Sequence, residues 1–354
     1  MAANKFFTIS LLKEKSTYAT LLLSFTLILC SGIATIAQTK KNKHQIIAIN
    51  AAEISTGTNS KAIINVTIIN GLGGEPLTEG CVLIKDGKIQ EVGKMSDVSI
   101  PAAAEITDAS GMYLLPGFID SHFHLDRTKG LPAKFLQHGV TSIRDPGAWI
   151  ESYDEERKSG KKIPRLFLTG PHFDMPPPAY PYDAYIVRDN YEAIKQVNAL
   201  ADQGATALKI YFRVPPGMIQ AICSTAHQRG IPVTAHLEIT EAMIAIEAGL
   251  DGVEHITSFG LSLLPKREGE KYRQGMLADN NFRKPGRYNM WKDININSAA
   301  ADSLSRYLVR KGTFVSPTLG PFEYQAGNGP VDSAKLSGFN NMKAMTAKFN
   351  KAGV

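Results

Sequence analysis

Alternating β-branched and amphipathic stretches between residues 118 and 350 predict an α/β protein. The expected form is a TIM-like (β/α)8 barrel preceded by a small β-sandwich module. Three observations carry that expectation. Short β-rich segments recur at 118–121, 141–144, 165–168, 207–212, 233–235, 252–254 and 313–316. Helix-like stretches lie between them, as at 191–203, 217–228, 240–247 and 299–311. This is the spacing of a strand, a crossover helix and the next parallel strand. A chain of 354 residues is also long enough for a barrel of ordinary size and a second module. Only seven such strands can be counted, so the barrel reads as incomplete.

The first 37 residues are of a different kind. Lys5, Lys13 and Lys15 precede the apolar run 21–29, which is followed by small residues and by Thr35, Ile36 and Ala37. That pattern predicts a secretory signal cleaved after Ala37, and export to the periplasm or the medium. The apolar run is shorter than the roughly 20 residues that a spanning helix needs, so no stable membrane span is expected after cleavage. Leu29 is too bulky for the residue before a lipidated Cys30. Residues 38–61 read as a basic tail and linker containing Lys40, Lys41 and Lys43.

From 62 to 115 the pattern is short β-structure, read as the N-terminal part of the sandwich. Asp86-Gly87 separates the strand candidates 81–84 and 89–92. Both central residues of that pair accept positive φ, which makes a tight hairpin. The formal net charge is +6. Loss of Lys5, Lys13, Lys15 and Glu14 with the signal brings it to about +4. With no basic helix and no aromatic platform interleaved with Arg, nucleic acid is excluded as a partner. Cys81 and Cys223 lie in different modules, so no disulfide framework is implied.

The barrel units carry the chemistry. In an extended segment residues i and i+2 project to one side, so His122 and His124 project together where the first strand passes into a loop. Two neutral imidazoles on one side are half of a transition-metal site. Lys209 lies at the end of the fourth strand, His236 of the fifth and His255 of the sixth. The C-terminal strand ends are where barrel active sites gather. Taken singly, a solvent-seeking lysine and backbone-bonded core histidines are the plain alternatives. Four coincidences at corresponding positions of separate units outweigh them. Asp120 and Asp145 sit at strand ends, with expected roles in orienting histidines or loop backbone. Tyr211 and Arg213 are placed to reach a substrate carboxylate, and His172 stands in the Pro-rich stretch after the third strand. The polar segment 260–293 reads as a lid or a surface excursion.

The motif set LLPGFIDSHFHL at 114–125, TSIRD at 141–145, LKIY at 208–211, TAH at 234–236 and VEH at 253–255 resembles the amidohydrolase superfamily. Within it the likeness is to the imidazolonepropionase-like and prolidase-like branch, from about residue 62 onward. The resemblance implies that His122 and His124 bind one divalent metal and His236 and His255 a second, usually zinc. Lys209, carboxylated by CO2, would bridge them. It further implies hydrolysis of amide, peptide or cyclic-amide C–N bonds by a metal-bridging hydroxide. The partner would be a small-molecule or dipeptide-like substrate, with a homo-oligomer compatible. A family aspartate after the eighth strand has no counterpart here, because the chain stops where related sequences begin that strand. A truncated and impaired chain is therefore expected. Two alternatives stand beside this: a mononuclear deaminase-type hydrolase on the same fold, and a non-catalytic exported metal- or ligand-binding relic.

Overall fold

The structure is a computed structural model that describes residues 46–54, 57, 59–125, 128–330 and 332–354. The predicted signal and the first part of the basic tail lie outside the described residues.

Five strands come first: β1 (Lys61–Ile68), β2 (Leu77–Lys85), β3 (Lys88–Lys94), β4 (Glu105–Asp108) and β5 (Tyr113–Leu114). They form one sheet in the order β3-β2-β1-β4, with β5 also pairing β1. The β2–β3 hairpin turns on Asp86 and Gly87, with φ of 51° and 70°. Positive φ at both positions is the turn that matches strand twist. Side chains alternating across β1 and β2 bury two small clusters. Ala62, Cys81, Leu83 and Val98 make one, and Val66, Ile68, Val82 and Ala109 the other. The described residues supply this single sheet, not the two packed layers of a sandwich, and Ile89, Val92 and Ile106 remain exposed.

The barrel strands follow: β6 (Phe118–Asp120), β7 (Val140–Asp145), β8 (Arg165–Leu168), β9 (His172–Asp174), β10 (Ala184–Ile186), β11 (Leu208–Ile210), β12 (Val233–His236), β13 (Gly252–Glu254) and β14 (Phe314–Ser316). Two all-parallel sheets result, β6-β7-β8 and β10-β9-β11-β12-β13-β14. The Thr206 amide donates to the Leu168 carbonyl at 2.8 Å, which ties the first sheet to the second. All seven predicted strands are present within a residue or three of the expected bounds. β9 and β10 were not predicted. Each is three residues long and borders a Pro-rich stretch, so neither produces a readable alternation. His172 therefore stands on a strand and not in a loop.

Eleven helices are found among the described residues: α1 (Leu131–Gln137), α2 (Asp154–Lys158), α3 (Asn190–Asp202), α4 (Pro216–Gln228), α5 (Ala242–Glu247), α6 (Gly260–Leu263), α7 (Lys266–Ala278), α8 (Arg283–Lys292), α9 (Ala299–Lys311), α10 (Leu319–Gly327) and α11 (Ser333–Ala352). Their ends follow local chemistry. Asp189 caps α3 by accepting the Glu192 amide at 2.8 Å, and the Glu192 carboxylate accepts the Arg188 amide. Ser298 caps α9, which closes on Gly312 in the left-handed conformation. Asp332 caps α11. The strands' inner and outer residues, including Ile143, Leu166, Leu208, Ile210, Val233 and Val253, are buried in one large core with the helices' apolar faces. Each such side chain contributes about 1.5–3 kcal/mol by leaving water.

The segment 260–293 corrects the expectation of a polar excursion. It is mostly helical, and Tyr272, Met276, Tyr288, Met290 and Trp291 are buried in the main core. Its composition is polar on average, but helical spacing gathers the apolar minority on inward faces. No helix among the described residues is long and apolar enough to cross a membrane.

Candidate metal centre

His122 and His124 follow β6, and their Nε2 atoms stand 3.2 Å apart. The His122 ring centroid is 4.7 Å from that of His255, which in turn is 4.4 Å from that of His236. Lys209, from the centre of β11, is 2% exposed and lines the same cavity as the four rings. The structure thus brings together all five predicted ligands. Among the described residues, no three His, Cys, Asp or Glu side chains already form a finished ligand shell.

Hydrogen bonds decide which ring nitrogens are free. His122 Nδ1 lies 2.7 Å from Glu254 Oε2, and His124 Nδ1 lies 3.4 Å from Asp145 Oδ1. An ionised carboxylate only accepts, so His122 Nδ1 carries the hydrogen, and the negative charge of Asp145 favours the same tautomer at His124, which leaves a lone pair on each Nε2. Two lone pairs facing at 3.2 Å is the spacing of two ligands on one ion. Zn–N bonds of about 2.0–2.1 Å at a tetrahedral angle separate their nitrogens by roughly 3.3 Å. His255 Nδ1 is 2.6 Å from Thr318 Oγ1, leaving its Nε2. His236 Nε2 meets Glu238 at 2.9 Å, while its Nδ1 is buried with no partner. An orphaned imidazole nitrogen beside an ion-spaced pair fits a divalent-metal centre. Lys209 fits only as a neutral amine or a carbamate, since an ammonium repels a cation.

Burial keeps these groups uncharged. It lowers His122 to about 4, against the raising effect of Glu254. His236 and His255 are held well below the ordinary imidazole range, first by burial and then by neighbouring cations or each other. Lys209 is lowered to about 7, again chiefly by burial, with Glu254 opposing. Burial pushes the Glu254 carboxyl up, yet Lys209, His122 and Arg144 together hold it well below the usual carboxylate range.

The surrounding carboxylates fix the rings. Arg144 from β7 grips Glu254 and also donates to the Ser121 carbonyl at 2.8 Å. Asp145 is fully buried and accepts from the amides of Leu125, Gly147 and Ala148 and from Tyr153 Oη. Asp120 accepts the His122 amide at 3.1 Å. Both aspartates stand where loop-fixing residues were expected. His255 holds φ at 64° and Thr318 at 48°, two non-glycine residues in the left-handed half of the map, bonded to each other. Such conformations cost of order 1–3 kcal/mol and collect at functional sites.

Beyond the histidines the cavity opens to about 1340 Å³. Tyr211 and His172 line it, with ring centroids 4.5 Å apart. Arg213 does not. Its guanidinium donates to Asn280 Oδ1 at 2.7 and 2.9 Å and to the Met276 carbonyl at 2.9 Å, outside this cavity. The chain turns after Ile210, so a count of residues past the strand misplaces it. Sequence reasoning missed Arg144, Glu254, Glu238, Arg283 and Arg287. The signal for the last pair was present: their i, i+4 spacing on a helix gives one shared face.

Residues 113–266 match the amidohydrolase family. The match spans β5 through the start of α7 and includes all five candidate ligands. An adenine deaminase from Listeria welshimeri is 40% identical over 85 residues, which are 23% of this chain and 14% of that protein. An N-acetylglucosamine-6-phosphate deacetylase from Lysinibacillus sphaericus is 26% identical over 223 residues, 56% of each chain. This chain therefore spans between about a seventh and just over half of these two curated relatives. The crystal structure of a Xaa-Pro dipeptidase with methionine in its active site superposes with a TM-score of 0.56 at 17% identity, over 84% of this chain and 78% of that one. That likeness is one of fold alone.

Proposed function

We propose that this centre is that of a metal-dependent hydrolase acting on C–N bonds of amides, peptides or cyclic amides. The observation that carries the proposal is the pair of Nε2 lone pairs on His122 and His124, 3.2 Å apart beside His236, His255 and Lys209. His122 and His124 would hold one divalent ion, and His236 and His255 a second. Lys209 would contact both as its CO2-derived carbamate. Such ions, zinc in the first instance, supply Lewis acidity toward the scissile carbonyl and an acidified water. The protein's own residues do the rest. Glu254 and Asp145 keep the Nδ1 hydrogens in place, so that Nε2 stays basic. Burial lowers Lys209 to about 7, so that at physiological pH a large share is the neutral amine, the form that reacts with CO2. Tyr211 and His172 wall the cavity beside His236. The leader-like residues 1–37 support an exported enzyme, periplasmic or secreted.

Metal analysis tests the reading. The purified chain, loaded with zinc in bicarbonate buffer and desalted, is expected to retain about two equivalents and to show one CO2 added on the Lys209 peptide in native mass spectrometry. Lys209→Met should retain at most one equivalent, and His122→Ala with His236→Ala none. One equivalent with unmodified Lys209 would instead favour a mononuclear site. No retained metal sinks the proposal.

A further inference from the structure

Two helices of the segment 260–293, α7 and α8, converge on the loop that follows His236. Tyr272 and Arg273 are successive residues of α7 and grip successive residues of that loop. Tyr272 Oη donates to Glu238 Oε2 at 2.6 Å, and Arg273 Nε donates to the Ile239 carbonyl at 2.8 Å. From α8, Arg287 donates to Glu238 Oε1 at 3.0 Å. The residue before Glu238 is held too. The Leu237 amide donates to Ser258 Oγ at 2.9 Å, and that hydroxyl donates to the Glu254 carbonyl at 2.7 Å. Residues 237, 238 and 239 are thus each fixed by a group from another element.

Glu238 is the meeting point. Its side chain is fully buried, and its carboxylate takes hydrogens from Tyr272, from Arg287 and from the His236 ring, whose Nε2 lies 2.9 Å from Oε1. Paired with a guanidinium, this carboxylate only accepts, so His236 Nε2 carries the hydrogen and Nδ1 the lone pair. That Nδ1 is the buried atom with no partner. The other three rings are held at Nδ1, by Glu254, Asp145 and Thr318. His236 alone is held at Nε2, and its holder is secured by α7 and α8. A carboxylate bonded to a ligating histidine fixes both the ring and its tautomer.

We propose that Glu238 is the positioning residue of His236 and that Tyr272 and Arg287 are its outer supports, so that docking of α7 and α8 and occupancy of the ion at His236 reinforce each other. Tyr272 acts at one remove, through its bond to Glu238. Linkage makes the effect reciprocal. Whatever the two helices add to the affinity of that ion, the ion returns to them as protection against local opening. The ion at His122 and His124 depends on Glu254 and Asp145 instead. Among the described residues, the hydrogen bonds of those two carboxylates come from neither helix. Loosening the helices should therefore weaken one ion and spare the other. The inference rests on the hydrolase reading for its ions, but the tautomer of His236 is measurable without metal.

Three measurements on the full chain test this. In the metal-free protein, long-range proton–nitrogen NMR correlation, assigned with His236→Asn, is expected to show His236 with its hydrogen on Nε2 and none on Nδ1. In chelator competition, Tyr272→Phe is expected to hold one zinc equivalent about tenfold more weakly and the other as the parent does. Glu238→Gln should show the same selectivity with a loss of up to about 100-fold. Hydrogen exchange read by mass spectrometry should slow across residues 266–292 when zinc is added to the parent, and should slow less in Tyr272→Phe. A merely structural role would weaken both equivalents together, and that result overturns the proposal. So does a hydrogen on His236 Nδ1 in the metal-free parent, parent-like zinc affinity in both variants, or exchange across 266–292 that ignores zinc. The parent measurements need no variant that folds poorly. A parent that retains no zinc sinks the hydrolase reading and the coupling with it, whereas the Nε2 hydrogen in that same protein would still uphold Glu238 as the positioning residue.

Discussion

Glu254 is fully buried and joins His122 to Arg144. Its two oxygens serve His122 Nδ1 on one side and the Arg144 guanidinium on the other. Arg144 keeps 15% of its side-chain surface, so it cannot be rehydrated in place if its partner is lost. Glu254→Gln preserves shape and removes the charge. Breaking a buried pair from one side typically costs about 3–5 kcal/mol, because the other charge is stranded. With a urea slope near 3 kcal/mol per molar, the unfolding midpoint should fall by about 1–1.7 M. The chelator-treated chain would be followed by far-ultraviolet circular dichroism and tryptophan fluorescence. The double variant Arg144→Met with Glu254→Leu removes both charges, and should recover about 2 kcal/mol of the loss. The Gln variant should also bind zinc about 10–100-fold more weakly, since the His122 tautomer is no longer enforced. An unchanged urea midpoint in Glu254→Gln refutes the account of the network. A double variant less stable than the single one refutes the stranded-charge explanation.

Two further outcomes follow from groups outside that network. His172 is lowered to about 3, first by burial and then by Lys209, His124 and Arg283. A folded-state value below the ordinary 6.5 means that its contribution is whole above about pH 6.5 and is lost as pH falls toward 3. His172→Phe should therefore flatten the decline in denaturation midpoint between pH 6.5 and 4, and a decline as steep as the parent's would contradict this. Trp291 is 0% exposed, but its Nε1 has no partner. Trp291→Phe should accordingly cost far less than Trp291→Ala, for which about 3–5 kcal/mol is expected. Similar losses on thermal melting would show that the indole N–H is satisfied after all.

The seven strands were legible because β-branched runs and helical spacing repeat, and a repeat survives small errors at each boundary. The five candidate ligands were legible for the same reason, as each stands at the same place in its unit. What stayed hidden lacks such a marker. β9 and β10 are too short to alternate. Arg144 and Glu254 sit inside motifs that draw the eye to Asp145 and His255. Their pairing joins residues 110 positions apart, which nothing local announces. The helices within 260–293 were obscured by their charge, because their buried side chains are few and large. Arg213 shows the opposite error. A residue two past a strand residue shares its side only while the chain remains extended, and here the chain turns after Ile210.

The left-handed kink at His255 has a consequence for anyone moving this site elsewhere. Neighbours on a strand ordinarily look in opposite directions, yet Glu254 and His255 both reach His122, one by hydrogen bond and one ring against ring. The turn at His255 allows this, and Thr318, from the loop after β14, holds it in place. Copying the letters Val-Glu-His onto another barrel would transfer the side chains without the bend. The transplant needs the bend and its distant latch together, so the smallest portable unit of the Glu254–His255 corner is two strands and the loop after each.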